Sequence, residues 1–275
     1  MASLLALLSA ALWGASDFEG GRISKRYPAI SVLGATQLIS LVFGTALVIA
    51  VGETQLTAKI FFAGAAAGIA GYLGLICLYE GLSTGKMGVV SPISSLSVLI
   101  PMSFALIGGE SLTTWKAVGC ALAILGGFLT SGPEFSDGVS FKPLILATGS
   151  AMGFGTALTF MAIGSEDAPI LTMVCMRIAT AFVTIAIAIN KKGFGGLGRA
   201  NMSSLIFVGV ADFAANAALG LAVHLGPVAI SMVLGALYPV FTVVLAFFFL
   251  HERLHKAQYL GGIAAVAGVA LISAF

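Results

Sequence analysis

The sequence predicts an all-α membrane protein: ten transmembrane helices arranged as two inverted five-helix repeats around a central cavity. Three observations carry that prediction. The chain of 275 residues is 59% hydrophobic and only 9% charged, with a mean hydropathy of +1.09, whereas soluble domains carry about 25% charged residues. It divides into ten apolar runs of membrane-crossing length. Its two halves repeat one another. The composition excludes an ordinary cytoplasmic enzyme, a disordered chain and a nucleic-acid binder, and a net charge of +2 is too small to call for a polyanionic partner. Cys77, Cys120 and Cys175 lie inside apolar runs and suggest no disulfide framework. The 35 glycines suit close helix contacts in lipid.

Crossing a hydrocarbon core of about 30 Å takes roughly 20 helical residues. The expected spans are Leu4–Arg26, Ala29–Val51, Ala58–Ser83, Gly88–Ile107, Trp115–Ser131, Pro143–Gly164, Ala168–Ile189, Ser203–Leu225, Pro227–Leu250 and Ala257–Ala274. Turn-forming or polar clusters separate them, among them Tyr27-Pro28, Ser83-Thr84-Gly85-Lys86, Gly108-Gly109-Glu110, Gly132-Pro133, Ser165-Glu166-Asp167 and Gly226-Pro227. The first run lacks a basic leader and an obvious cleavage site, so it is expected to be a retained span rather than a signal peptide. The polar stretch Gly132–Lys142 is too short for a domain, and no GxxxxGK[ST] phosphate loop occurs. Transport by this chain would therefore be driven by a gradient or by exchange, without ATP hydrolysis.

The repeat appears at a shift of 141 and then 142 residues. Trp13-Gly14 returns as Phe154-Gly155, Pro28 as Pro169, Gly68 as Gly209 and Gly85 as Gly226; Glu110 and Leu112 return as Glu252 and Leu254, and Gly119, Ala123 and Gly126 as Gly261, Ala265 and Gly268. The domain organisation follows: residues 1–132 form the first five-helix repeat, 133–142 a linker, and 143–275 the second repeat. An odd number of spans per half turns the second copy upside down. Inverted repeats of this kind are the architecture of secondary transporters, with substrate bound near the midplane. Loops after odd-numbered spans carry Arg22, Lys25, Arg26, Lys86, Lys142, Lys191, Lys192, Arg199, Arg253 and Lys256, against only Lys59 and Lys116 on the other side. On a positive-inside count both termini lie outside.

Two signatures converge on a family. One is Trp13-Gly14-Ala15-Ser16-Asp17-Phe18 followed by Arg22; the other is Glu110-Ser111-Leu112 and Glu252-Arg253-Leu254, each closing a fourth span and preceding a glycine-bearing fifth. With ten spans in two halves, the chain resembles the drug/metabolite transporter superfamily, EamA type, over its whole length. The resemblance implies four helices of each half forming a basket around the cavity with the fifth packed outside. It also implies export or exchange of small metabolites, amino acids among them. Two features depart from it: the loop after span 2 holds only Glu53 and Lys59, and the charge count sets the termini outside where many members are described with termini inside.

Ionisable residues at membrane depth are costly and usually functional. Arg177 and Asp212 each sit about nine residues into spans 7 and 8, which run antiparallel, so both lie roughly 14 Å deep, and Asn216 shares a face with Asp212. They form either a polar cluster that binds substrate or carries a proton, or a structural pair locking the two spans. Asp17 and Glu19, two residues apart on span 1, point to different faces, so only one can face a cavity squarely. Glu80, near the end of span 3, reads as either a site residue or an interfacial carboxylate. Spans 4 and 9 carry Ser91, Pro92, Ser94, Ser95 and Pro101, and Ser231, Tyr238 and Pro239. A proline inside a helix frees a carbonyl and bends the axis, and freed groups at depth must be buried in protein or line a wet cavity. These helices are either gating and cavity-lining or statically kinked. Trp13 and Phe154, symmetry mates, are candidates for cavity walls.

The sequence His251-Glu252-Arg253-Leu254-His255 spells HExxH, which on a continuous helix would hold zinc with a glutamate base. Its place between spans 9 and 10 and the lack of histidines in its repeat mate argue against a metallohydrolase. Its glutamate reads better as a loop carboxylate that caps the fifth helix. No cofactor, metal or catalytic residue is expected. The expected function is secondary transport of small metabolites, amino acids or related amphiphiles, in the export direction, through a plasma (inner) membrane. The lipid bilayer is the surrounding partner, a proton is a candidate coupling ion, and nucleic acid is excluded. The residues expected at the cavity are Trp13, Asp17, Ser91, Ser94, Arg177, Asp212, Asn216, Ser231 and Tyr238. An uncoupled facilitator or channel is the alternative.

Overall fold

A chain this apolar leaves its backbone no solvent to bond with, and helices satisfy every peptide group locally. The computed structural model describes residues 1–24, 26–84, 87–132, 141–190, 197, 201–250 and 255–275. These form α1 (Ala2–Ser24), α2 (Ala29–Val51), α3 (Ala58–Thr84), α4 (Met87–Ser95), α5 (Leu99–Ile107), α6 (Thr114–Thr130), α7 (Phe141–Ser165), α8 (Pro169–Asn190), α9 (Met202–Leu225), α10 (Val228–Gly235), α11 (Tyr238–Leu250) and α12 (Lys256–Ala274), with a 3-10 turn, Leu96–Val98, between α4 and α5. Each expected apolar run is therefore helical, and the fourth run of each half is broken in two. Seven segments, in α2, α3, α7, α8, α9, α10 with α11, and α12, are long and apolar enough to cross a membrane. Pro92–Ile107 and Thr114–Thr130 are shorter apolar helices, and α1 carries Asp17, Glu19 and Arg22 in its second half.

The breaks have local causes. Pro92 lies inside α4 and contributes no amide donor. The Ser94 and Ser95 hydroxyls turn back on their own helix, donating to the carbonyls of Val90 at 2.9 Å and Pro92 at 2.7 Å. Between α10 and α11 the amide of Leu237 donates to the carbonyl of Leu234 at 3.2 Å, a tightened turn just before Pro239.

Burial identifies the centre. In α8 and α9, 61% and 67% of the apolar window is buried, against 22–39% in the other five, so these two helices are the interior of the bundle. α9 packs on α1, α2 and α8; α3 packs along α7 and α8; α6 pairs with α12. The halves exchange the same contacts. A Cβ on Gly14 would fall 2.5 Å from the Phe241 Cβ and 2.9 Å from the Tyr238 carbonyl oxygen, and one on Gly155 would fall 2.6 Å from the Ser97 carbonyl oxygen and 2.7 Å from the Ile100 Cβ. All three partners in one contact are 141 positions from their counterparts in the other. Likewise a Cβ on Gly126 would strike the Ala265 amide and approach the Gly261 carbonyl oxygen at 2.8 Å, and one on Gly268 would lie 2.6 Å from the Ala123 amide and 2.7 Å from the Gly119 carbonyl oxygen. Absent side chains let the helix backbones touch.

At the end of the bundle where α1 begins, the first half grips the second. Glu53 accepts from the amides of Ile170 at 2.8 Å and Leu171 at 3.0 Å, capping α8. Glu110 accepts from the amide of Ala229 at 3.0 Å, in the first turn of α10. Lys59 reaches Glu166 at 2.7 Å and Asp167 at 3.1 Å, and within the second half His224 bonds the carbonyl of Glu166 at 2.9 Å. A carboxylate at a helix N-terminus satisfies orphan amides and complements the positive end of the dipole. Glu110, the repeat mate of the glutamate expected to cap the last helix, does not cap the helix that follows it. Thr113 caps α6 by accepting from the Lys116 amide, which frees Glu110 to reach across to α10. Its repeat mate Glu252 lies outside the described residues.

Gly126→Leu should break the α6–α12 contact and lower the apparent melting temperature of the purified protein by several degrees, in line with an overpacking cost of about 1–3 kcal/mol. Gly262→Ala, on α12 with nothing within 4 Å of the added Cβ, should leave it unchanged or slightly raised. Equal melting of both variants with the parent would contradict glycine-mediated contact.

Candidate functional site

The site starts on one face of α1. Ala6 and Ala10 are fully buried, and helical spacing sets Trp13 and Asp17 on the same stripe. On one side of it Gly14 meets α11; on the other, the Ser16 hydroxyl donates to the Val208 carbonyl on α9 at 3.3 Å. Asp17 thus continues a buried stripe, yet it is exposed. Its electrostatic neighbours are Asp212 and Tyr238, so it lies on the side of α1 that meets α9 and α11.

Across from α1, Asp212 on α9 and Arg177 on α8 form an ion pair at 2.7 Å, with 24% and 5% of their side-chain surfaces exposed. The pair is extended on both sides. Trp13 donates its indole N–H to Asp212 Oδ1 at 3.3 Å. Asn216, one turn along α9, donates to the same oxygen at 3.3 Å and to the Asp212 carbonyl at 2.7 Å. Arg177 Nη1 donates to Gln37 Oε1 on α2 at 2.9 Å, and the Thr180 hydroxyl donates to that oxygen at 3.2 Å. The Trp13 ring meets Tyr238 of α11 edge to face, with centroids 6.3 Å apart and planes at 75°. Four helices from both halves therefore converge on one polar network, and α11 joins it through the Tyr238 ring. Arg177 Nε is buried with no partner among the described residues.

Trp13, Asp17, Arg177, Asp212, Asn216 and Tyr238 are thus brought together. Ser94 is elsewhere in its bonding, spent on its own helix. Ser231 is buried in α10 with no partner for its hydroxyl among the described residues. Ser91 lies in α4, but its side chain is outside the described residues. So are motif residues His251, Glu252, Arg253 and Leu254, while His255 precedes α12 with its amide donated to Gln258 at 2.9 Å. The basic loop residues Lys25, Lys86, Lys191, Lys192 and Arg199 are outside them too. Glu19 pairs with Arg22 at 2.7 Å, and Glu80 pairs with Lys142 at 2.8 Å between exposed side chains. Phe154 packs where α7 crosses Gly74 of α3.

Gln37 and Thr180 complete the network without having been singled out. Gln37 is the longest polar side chain in α2, a signal available in sequence but without a partner to give it meaning. A separate apolar groove of about 550 Å³ runs between α5 and α6, lined by Leu99, Met102, Ala121, Ile124, Leu125 and Phe128. It includes none of the charged network, and Leu99 and Leu125 are themselves exposed.

Removing one member of a buried ion pair strands the other at a cost of about 3–5 kcal/mol, whereas replacing both by apolar residues is often neutral. Arg177→Met should therefore lower the melting temperature markedly, and Arg177→Met with Asp212→Leu should recover most of the loss. A double variant as unstable as the sum of the singles would show that the pair is not coupled.

A solved crystal structure is similar to this chain in fold: TM-score 0.79 at 17% sequence identity, covering 99% of this chain and 96% of the other. Comparison with curated proteins gave no match. The model of the EamA-like transporter family matches twice, over residues 1–132 and 141–274. The helical bundle, its apolar spans and these two matches agree: the chain is an integral membrane protein and belongs to the EamA-like transporter family.

Proposed function

We propose that this chain is a secondary transporter that exports small metabolites, amino acids and related amphiphiles first, by alternating access. Ten passes are assigned, with α4 and α5 forming one and α10 and α11 another. The first repeat is residues 1–132, 133–142 the linker and 143–275 the second repeat, inverted in the membrane. The Lys- and Arg-rich loops lie on the cytoplasmic side of a plasma (inner) membrane and both termini outside.

The observation that carries this reading is the network of Trp13, Gln37, Arg177, Asp212 and Asn216, set on α1, α2, α8 and α9. A charged cluster deep in an apolar bundle is the mark of a substrate or ion pathway. The reciprocal glycine contacts support an inverted pair of halves that rock against one another. The bonds of Glu53, Lys59 and Glu110 to the second half support closure at the outer face, with the cavity beside Asp17 opening toward the basic loops. The breaks after Ser95 and Gly235 supply bending points in both halves. A proton is the proposed coupling ion. Arg177, Trp13 and Asn216 occupy both oxygens of Asp212, which leaves Asp17 as the carboxylate with room for it.

Proteoliposome counterflow of a radiolabelled amino-acid panel tests the reading, wild type beside Asp212→Asn. The wild type should accumulate label against unlabelled internal solute, and Asp212→Asn should slow exchange by at least about tenfold. Linear, non-saturating flux without counterflow would instead establish an uncoupled facilitator. Absence of flux for amino acids and for a wider metabolite panel would overturn transport.

A further inference from the structure

The network leaves one charge unbalanced. Around Asp17, α9 contributes Asp212, α8 contributes Arg177 and α11 contributes Tyr238, while α2 and α10 contribute no titratable side chain. On α1 itself Glu19 and Arg22 neutralise one another at 2.7 Å. Two carboxylates thus share one guanidinium. Asp212 takes it, with Trp13 and Asn216 as further donors. Asp17 has neither hydrogen bond nor ion pair among the described residues, yet the residue is exposed. A lone carboxylate at this depth is costly, and a cation relieves the cost.

We propose that Asp17 is the subsite for the ammonium group of the transported solute, so that the site selects organic ammonium ions over zwitterionic or anionic solutes of the same size. The inference rests on the transporter reading and, within its small metabolites, moves the preferred substrate from amino acids to amines without a free carboxylate. Two further observations support that narrowing. Trp13 and Tyr238 stand beside the carboxylate with rings 6.3 Å apart, and aromatic faces attract cations and cover apolar carbon. Among the described residues of the network the one cation is Arg177, which gives Nη1 to Gln37 and Nη2 to Asp212 with only 5% of its side chain exposed, so it offers little to a solute carboxylate.

The chain has two tryptophans, so Trp115→Phe leaves Trp13 as the reporter. Purified protein with that change is titrated with butylammonium chloride, norleucine and sodium butyrate at constant ionic strength, and Trp13 emission is followed. Butylammonium should change the emission saturably, norleucine should bind at least about tenfold more weakly, and butyrate should not bind. Asp17→Asn should weaken butylammonium at least about tenfold and Asp17→Glu should retain it. No butylammonium response in the parent, equal binding of norleucine, or an unchanged response in Asp17→Asn would each overturn the proposal. Counterflow with the same solutes separates it from the transporter reading. Norleucine exchange that ignores Asp17→Asn sinks the ammonium subsite alone. Butylammonium binding at Asp17 with no exchange of any solute sinks transport and leaves the subsite.

Discussion

A guanidinium buried in an apolar bundle must be paired, and much of this molecule is arranged around that requirement. Arg177 sits on α8, one of the two most buried helices, and its partner Asp212 sits on the other. Meeting the requirement draws in Gln37 from α2 and, through the second oxygen of Asp212, Trp13 from α1. The network therefore ties together helices from both halves, and it fixes α1 so that Asp17 borders the same space. Stability and site chemistry are carried by the same bonds, so a substitution in the pair is felt in both.

The second constraint is distance between backbones. Lipid offers helices no hydrophobic drive to associate, so close packing and polar contacts must hold them. Gly14 and Gly155 admit α11 and the α4–α5 region at equivalent places, and Gly126 and Gly268 do the same between α6 and α12. The contacts that define the bundle thus come in exchanged pairs. Departures from that exchange mark specialisation. Trp13 faces Asp212, whereas its mate Phe154 packs on Gly74. The position matching Asp17 in the second half is Leu158, and that matching Asp212 is Gly71. The polar network is built once, on an otherwise repeated frame.

The helices were legible because membrane hydropathy is a strong, local signal, and Ala29–Val51 was delimited to the residue. The glycine repeat was legible for the same reason that it matters, since a helix contact this close excludes almost any other side chain. Arg177 and Asp212 could be matched by depth alone, because antiparallel spans of known rise bring equal offsets to equal heights. Gln37 could not, since a lone amide in a span gains a role only from the side chain across from it. Glu53 and Glu110 were hidden because their partners are backbone amides more than a hundred residues away, and amides carry no sequence signature. The serines of α4 carry a weaker signal than the charges: a hydroxyl in a helix can bond the preceding turn, and Ser94 and Ser95 do so.

Thiol accessibility tests the proposed alternation of access directly. With Cys77, Cys120 and Cys175 replaced by alanine, single cysteines at Asp17→Cys and at lipid-facing Ile49→Cys are exposed to a charged, membrane-impermeant thiol reagent from each face of oriented vesicles. The account predicts that position 17 reacts from both faces, that a transported solute slows it, and that position 49 does not react. Reaction of position 17 from one face only, or no faster than position 49, would contradict it.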